Sequence, residues 1–320
     1  MQCIGVDVSK QGLVTYDGEK ERVFPNRKGL PEFAKFVNHG RKALIVFEAT
    51  STYSRKLEAL CRERNIRTVK VNPRLIPRLR ELGNKRSKTD RTDAELLYQY
   101  GVEWGKDEAR ESRPADPLAQ ALSAQLTIYR VTQKARVSYQ GLFEALSQDP
   151  STPRELLSEL TETIAFLKEK EQECIARAKK LIEEDEMAAQ SLQVLLGIPG
   201  VGLVTAITLL ALFRRYPGTN RKQIVALAGL DPIEYRSGSS VHKKPRISKR
   251  GSGEIRKRLY EATLSAARFN PAVNGIYSRL KERGKPEKVA RIAAARKLLL
   301  IAHAIYKSGE SYRPPTNGEG

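Results

Sequence analysis

Two aspartates near the end of the first hundred residues have a spacing suited to metal chemistry. Asp90 and Asp93 stand at the start of an apolar helical pattern, where an i, i+3 spacing places both carboxylates on one face. A helix N-terminus also favours negative charge. The basic residues around them are predicted to contact a nucleic-acid backbone: Lys85, Arg86, Lys88 and Arg91. The alternative is ordinary helix capping, with Thr92 and Glu95 forming a capping box.

Two further acids fall on predicted strands. The segment 3–9 alternates apolar and polar residues, which places Asp7 on the polar face together with Gly5, where the glycine leaves room beside the carboxylate. The run 42–49 is almost continuously apolar, as expected of a buried parallel strand, and contains Glu48 near its end. The alternatives are that Asp7 is a strand-edge residue and that Glu48 caps the following helix.

The elements that carry these acids follow a recognisable order. The patterns predict three strands in a meander (3–9, 12–16 and 21–24), a helix (30–38), a strand (42–49), a helix (51–64), a strand (67–71) and two helices (73–82 and 90–104). This mixed sheet resembles the ribonuclease H-like fold, in its RuvC-like branch, where these elements converge at one end of the sheet. Four converging carboxylates require cations, and an all-oxygen ligand set predicts Mg²⁺ or Mn²⁺.

The composition favours a polyanionic partner. The 320 residues include 57 Lys and Arg against 37 Asp and Glu, a net charge of +20 that is typical of nucleic-acid-binding proteins. Three cysteines without ligand spacing and three histidines argue against a disulfide framework and against a histidine-based zinc or serine-protease site. No apolar run approaches the ~20 residues of a membrane span, so we expect no membrane partner and a cytoplasmic, nucleoid-associated protein.

Two long helical patterns occupy the middle of the chain. Apolar residues recur at helical spacing over 118–146 and 155–184, with prolines between them. The patterns predict an antiparallel hairpin or coiled coil that serves as a dimerisation arm. The alternative is a helical core within one chain.

The last third of the chain contains a glycine-rich turn and a basic segment. Residues 198–202 (IPGVG) resemble a helix-hairpin-helix motif, in which Gly200 and Gly202 would approach a phosphate; the alternative is a plain glycine turn. The segment 231–240 contains serines, one of which could act as a nucleophile, and composition alone favours a flexible basic loop here. Helices are predicted at 254–269 and 287–307, followed by a disordered tail. The residues predicted to contact nucleic acid in this region are Arg236, Ser239, Ser240, Lys243, Lys244, Arg246, Lys249, Arg250, Arg256, Lys257 and Arg258.

A set of motifs in one order carries a family resemblance over nearly the whole chain. They are GVDVSK, FEATSTY, the NP of VNPRL, KTDRTDA, IPGVG, LAGLDPIEYRSGSS and SKRGSGEIRKRLY. The chain resembles the DEDD-type transposases of insertion sequences, which are related to Piv-type DNA invertases. The resemblance implies a RuvC-like metal domain (1–106), a coiled-coil arm (115–186), a mostly helical transposase domain (190–308) and a disordered tail (309–320).

The resemblance also implies a mechanism and partners. The family's four acids fall on Asp7, Glu48, Asp90 and Asp93, and its nucleophilic serine falls on Ser237. These residues would cut and rejoin donor and target double-stranded DNA through a phosphoserine intermediate with Mg²⁺. A structured non-coding bridge RNA would specify both DNA sites, and the protein would assemble as a dimer and as a tetramer made of two dimers. Two alternatives stay open: a RuvC-like nuclease that hydrolyses branched DNA with water, and a basic architectural protein without catalysis.

Overall fold

The computed structural model of the protein describes residues 2–25, 29–37, 42–49, 53–83, 89–105, 116–237 and 241–314. The chain forms two compact units, Met1–Pro114 and Ala115–Gly320. The predicted helical arm and the predicted transposase domain therefore belong to the same compact unit.

The first unit is built on a five-stranded mixed sheet with the strand order β3-β2-β1-β4-β5. The first three strands form an antiparallel meander, and β4 and β5 lie parallel to β1. The predicted mixed α/β sheet is thus confirmed. The strands are β1 (Gln2–Val8), β2 (Gly12–Tyr16), β3 (Glu21–Pro25), β4 (Ala43–Glu48) and β5 (Arg67–Val71).

Four helices cover the two faces of this sheet: α1 (Leu30–Phe36), α2 (Arg55–Glu63), α3 (Ile76–Leu82) and α4 (Asp90–Trp104). Alternate residues of β1 and β4, such as Val6 and Phe47, pack against Phe33 of α1 and Leu57 of α2. The other face of β4 packs against α3 and α4. The predicted helices 51–64 and 73–82 begin later, at Arg55 and Ile76, because turns precede both of them.

The second unit is predominantly helical and has its core around α8. Its helices are α5 (Pro117–Ser147), α6 (Arg154–Glu183), α7 (Glu186–Leu196), α8 (Leu203–Arg215), α9 (Arg221–Ala228), α10 (Gly253–Phe269), α11 (Pro271–Glu282) and α12 (Glu287–Ser308). Every residue of α8 from Thr205 to Phe213 is buried. The two long helices α5 and α6 form a hairpin within the chain, and Arg136 of α5 donates to the buried carboxylate of Glu171 on α6 at 2.6 Å.

Three features of the second unit differ from the sequence-based expectations. The predicted flexible basic loop is a β-hairpin of β6 (Pro232–Ser237) and β7 (Val241–Ile247), because hydrogen bonds from Ser248 to Asp231 join the two ends of the segment. Helix α11 was not predicted. The first residues of the predicted disordered tail are ordered, because the Tyr312 hydroxyl donates to Asn270 at 2.9 Å.

None of the helices in the described ranges is long and apolar enough to cross a membrane.

Candidate active site

Helix α4 lies directly on strand β1, and a glycine makes this possible. A Cβ atom placed on Gly5 would be 2.1 Å from the carbonyl oxygen of Ala94 and 2.3 Å from the backbone nitrogen of Tyr98. The room beside Asp7 that the sequence predicted is therefore filled by the helix backbone rather than left open. Because Ala94 follows Asp93 directly, this close approach brings the aspartates of α4 to the strand that carries Asp7.

The N-terminus of α4 is capped by Thr89, not by the predicted pair of Thr92 and Glu95. The Thr89 side chain accepts a hydrogen bond from the backbone N–H of Thr92 at 3.1 Å. The carboxylate of Glu95 instead pairs with exposed Arg91, at 3.1 Å. Threonine capping leaves the aspartates of the first turn available for another role.

The two strand acids lie next to each other in the sheet. The parallel pairing of β1 and β4 places Val6 beside Phe47, and one position further along are Asp7 and Glu48. Asp7 and Glu48 lie on the same face of the sheet as Val46 of β4, and this face packs against α4. The fold thus brings all four predicted acids to one end of the sheet and to one side of it.

The surroundings of Asp7 raise its pKa. Its pKa is raised to about 6, first by burial and then by the negative charges of Asp90, Asp93 and Glu48. The backbone N–H of Val8 donates to the carboxylate and lowers the pKa in the opposite direction. The other three carboxylates are therefore close enough to oppose the ionisation of Asp7, an effect that a bound cation relieves.

An arginine that was not predicted from the sequence forms an ion pair with one of the acids. The guanidinium of Arg80 on α3 forms an ion pair with the carboxylate of Asp93, and both side chains are largely buried. The Nε atom of Arg80 is buried and has no hydrogen-bond partner in the described part of the chain. Arg80 lies four residues after the buried Ile76 on the same helix, so helical spacing alone places it on the inner face.

The donor set fits a hard divalent cation by its chemistry. Carboxylate oxygens are the ligands that Mg²⁺ and Mn²⁺ prefer, and the pKa of Asp7 is raised by burial and by the negative charges of the other three acids. Within the described ranges, however, no three His, Cys, Asp or Glu side chains are close enough to enclose a metal ion. Asp93 forms an ion pair with Arg80 instead, so the four acids converge from β1, β4 and α4 without forming a closed set of metal ligands.

The predicted nucleophile lies on the hairpin of the second unit. Ser237 is the last residue of β6 and pairs with Val241 of β7. The base of the hairpin is fixed where the chain enters and leaves it. Ser248 donates its hydroxyl to the Asp231 carboxylate and its backbone N–H to the Asp231 carbonyl oxygen, at 2.8 Å for the latter.

Arg256 holds this hairpin base to the rest of the second unit. Its guanidinium donates to the carbonyl oxygens of Ala228, at 3.0 Å, and Gly251, at 2.9 Å. The backbones come close enough here that a Cβ on Gly251 would be 2.0 Å from the carbonyl oxygen of Leu227. Arg256, predicted to contact nucleic acid, therefore has an internal role that positions the segment carrying Ser237.

The other predicted nucleic-acid contacts fall into several classes. Arg258 is buried and binds Glu254, Glu261 and Gln133, so we assign it to packing within the second unit rather than to phosphate binding. Lys257 is half-exposed and lies 3.8 Å from Glu261. Exposed residues at or beyond the end of β7 are Arg246, Lys249 and Arg250. Arg236 belongs to β6, and Lys243 and Lys244 belong to β7. Lys85, Arg86, Lys88, Ser239 and Ser240 lie outside the described residues.

The predicted helix-hairpin-helix glycines have different surroundings. Gly200 has a φ of +92°, and a Cβ there would be 2.4 Å from the Cβ of Ala266 on α10, so packing within the unit accounts for this glycine. Gly202 precedes α8, is exposed and has open space around it. Of the two, only Gly202 offers backbone to a ligand.

Comparison with known proteins gives the family. A model described as Transposase IS116/IS110/IS902 family matches residues 192–278, and a DEDD transposase model of the IS110 type matches residues 4–140. The chain belongs to this family of transposases. Membership implies a ribonuclease H-like fold for the first unit, a DNA substrate and a divalent metal ion. The chain is thus an enzyme of DNA recombination.

Two similar proteins match nearly the whole length of the transposase, and a third matches part of it. The pilin gene-inverting proteins of Moraxella bovis and Moraxella lacunata are each 26% identical to it over 322 aligned positions, covering 97% of both chains. An uncharacterized 43.6 kDa protein of the insertion element IS110 from Streptomyces coelicolor is 28% identical over 122 residues, covering 37% of this chain and 29% of its own.

Proposed function

We propose that this transposase cuts and rejoins DNA strands through a covalent bond between Ser237 and DNA, with Mg²⁺ or Mn²⁺ held by Asp7, Glu48, Asp90 and Asp93. The observation that carries the proposal is the convergence of the four acids at one end of the sheet, where they raise the pKa of Asp7. Membership of a transposase family supplies the substrate class.

In this proposal Ser237 forms the covalent bond with DNA, and the four acids hold the metal ion. The serine hydroxyl attacks a backbone phosphorus atom, a phosphoserine bond forms, and the bond to the 3′ oxygen breaks to leave a 3′-hydroxyl. The reverse attack by a 3′-hydroxyl on the phosphoserine rejoins a strand without ATP, because the covalent bond conserves the free energy of the original linkage. A bound divalent ion would supply positive charge to the phosphate oxygens.

The order of the hairpin supports the role of its serine. A nucleophile must be held in place relative to the phosphorus it attacks. Ser237 lies on a strand whose base is fixed by Asp231, Ser248 and Arg256, rather than on a loop without regular structure. The carboxylates and the serine belong to different compact units, so the reaction requires both units of the chain.

The proposal also includes an RNA partner and an oligomeric assembly. A structured non-coding bridge RNA would pair with donor and target DNA and specify both, while the protein reads backbone and shape. The active assembly would be a tetramer composed of two dimers. The net charge of +20 supports binding to several nucleic-acid strands at once.

The test is to look for a denaturant-resistant adduct between the protein and DNA that spans the joined ends of the element. The protein is produced together with its native flanking DNA, so that a guide RNA is present. Wild type is compared with Ser237→Ala and Asp90→Asn, with and without Mg²⁺. We expect an adduct only for wild type and only with the metal.

Matched controls separate the serine assignment from the general mechanism. Ser239→Ala and Ser240→Ala remove the neighbouring hydroxyls and should keep the adduct. If one of them loses the adduct while Ser237→Ala retains it, the nucleophile is reassigned. Metal-dependent cutting without any adduct, unaffected by Ser237→Ala, would rule out the covalent mechanism and favour a RuvC-like nuclease.

A further inference from the structure

A groove in the second unit, on the side of the last two helices, has no role in the proposed chemistry. It is formed by α11, α12 and the segment that follows α12, and its volume is about 790 Å³. Apolar side chains line part of it, among them Ile276, Ile301 and Ile305. Such a groove has room for a flat or extended ligand.

The charges around this groove are unbalanced. Arg279, Lys297 and Arg313 line it against one acid, Glu310. In the ranges that the structure describes, none of these three cations has an ion-pair partner. Cations placed together without acids create a positive potential, which is relieved when an anion binds.

Neighbouring cations of the same two helices are paired. Lys281 lies 3.1 Å from the carboxylate of Glu287, and Arg291 lies 2.6 Å from it. Glu287 therefore pairs with cations outside the groove. The groove cations are left for a ligand.

The segment that carries Arg313 is fixed by a buried contact. Tyr312 donates its hydroxyl to Asn270, which is fully buried and also caps α11 by accepting from the backbone N–H of Val273. The amide of Asn270 donates in turn to the carbonyl oxygen of Pro199 at 3.4 Å. Because folding already orders this segment, binding a ligand here costs less conformational entropy than it would on a loose tail.

We propose that this groove binds the sugar-phosphate backbone of the DNA on which the transposase acts. Phosphates would neutralise Arg279, Lys297 and Arg313, and the apolar side chains would contact the sugars. The proposal depends on the DNA substrate of the family and not on the serine chemistry. Ser237→Ala protein should therefore bind DNA as wild type does, and this separates a failure of one proposal from a failure of the other.

The experiment measures how DNA affinity depends on salt. Full-length protein is titrated with a duplex oligonucleotide of arbitrary sequence at several salt concentrations, because backbone contacts do not require a particular sequence. The variant combines Arg279→Gln, Lys297→Gln and Arg313→Gln. The matched control combines Arg283→Gln, Lys285→Gln and Lys288→Gln, which remove the same charge from exposed residues of the turn between α11 and α12 and of the first turn of α12.

We expect the groove variant to lose about tenfold or more in affinity near 0.1 M salt, with a log–log salt slope shallower by about 2 to 3, since each phosphate contact contributes about 0.9. The control should change the affinity less than about threefold and the slope by less than about 1. Equal losses in both variants would mean a general charge effect and overturn the proposal.

Two further measurements test whether the loss of affinity comes from the groove and whether it concerns DNA. The single variants Arg279→Gln and Lys297→Gln should each lower the slope by about 1, which guards against misfolding of the triple variant. A structured RNA transcribed from the flank of the element is titrated in parallel. If the groove variant loses affinity for this RNA and keeps its affinity for DNA, the assignment of the groove to DNA is wrong.

Discussion

Substitution of Gly5 by alanine tests how the metal-binding half of the site is assembled. The added Cβ would lie 2.1 Å from the Ala94 carbonyl oxygen and 2.3 Å from the Tyr98 nitrogen. Both are backbone atoms, so no side chain can rotate away, and α4 has to move by roughly 1 Å to restore ordinary contact. Overpacking of this kind costs about 3 kcal/mol of unfolding free energy, at the upper end of the usual range.

The only tryptophan of the sequence makes the effect measurable in the first unit alone. Trp104 is the last residue of α4 and contacts Tyr100 in a tilted arrangement, with ring centroids 5.1 Å apart. Its fluorescence during urea denaturation therefore reports whether α4 is docked on the sheet. With a slope of about 2 kcal/mol per molar urea, the Gly5→Ala midpoint should fall by about 1.5 M.

Gly141 provides a control with the opposite expectation. It lies inside α5 with no atom within 4 Å of an added Cβ, so Gly141→Ala should stabilise that helix by up to about 1 kcal/mol and leave the tryptophan midpoint unchanged. A Gly5→Ala midpoint equal to that of wild type would refute the close seating of α4 on β1. The aspartates of α4 would then not be held against the strand that carries Asp7.

Three further outcomes are expected. Asp7 has a pKa of about 6 in the folded state against 3.8 in the unfolded chain, so its ionisation opposes folding. Without divalent ions the tryptophan midpoint should therefore rise as the pH falls from about 7 to about 4, between the folded and the unfolded pKa, and Asp7→Asn should be more stable than wild type at pH 8 and lack this rise. Glu171→Gln leaves the guanidinium of Arg136 without its charge partner, and circular dichroism melting should show a loss of about 2 kcal/mol, whereas wild-type stability would contradict the importance of this pair. Arg80→Gln releases Asp93 and removes a competing positive charge, so Mn²⁺ should bind several-fold more tightly in an electron paramagnetic resonance titration, whereas Arg78→Gln on the exposed side of the same helix should change little; weaker binding by Arg80→Gln would show that the arginine supports the metal site instead.

Much of the first unit was predictable because its signals are local. Alternation in β1 and the apolar run of β4 fixed the strands, and a parallel register then placed Asp7 beside Glu48. The i, i+3 spacing of Asp90 and Asp93 placed both on the first turn of α4. The catalytic role of Ser237 was predicted from the family motifs, since neither spacing nor composition distinguishes this serine from those that follow it.

Other features depended on contacts between residues far apart in the chain. A basic segment rich in glycine and serine favoured a loop by composition, but the bonds between Asp231 and Ser248 and the clamp formed by Arg256 close it into an anchored hairpin. The burial of Arg258 was equally hidden, because its partners include Gln133, which lies 125 positions away.

The sequence by itself determined the mixed sheet, the order of its elements and the four acids, because hydrophobic periodicity and short-range spacing depend only on neighbouring residues. Tertiary structure alone decided what surrounds those acids. Gly5 has no side chain and so lets the backbone of α4 come close, and Arg80 of α3 forms an ion pair with Asp93 of α4. The physical reason is that packing and charge pairing are set by distances in space, and the folded chain creates those distances between residues that no local pattern connects.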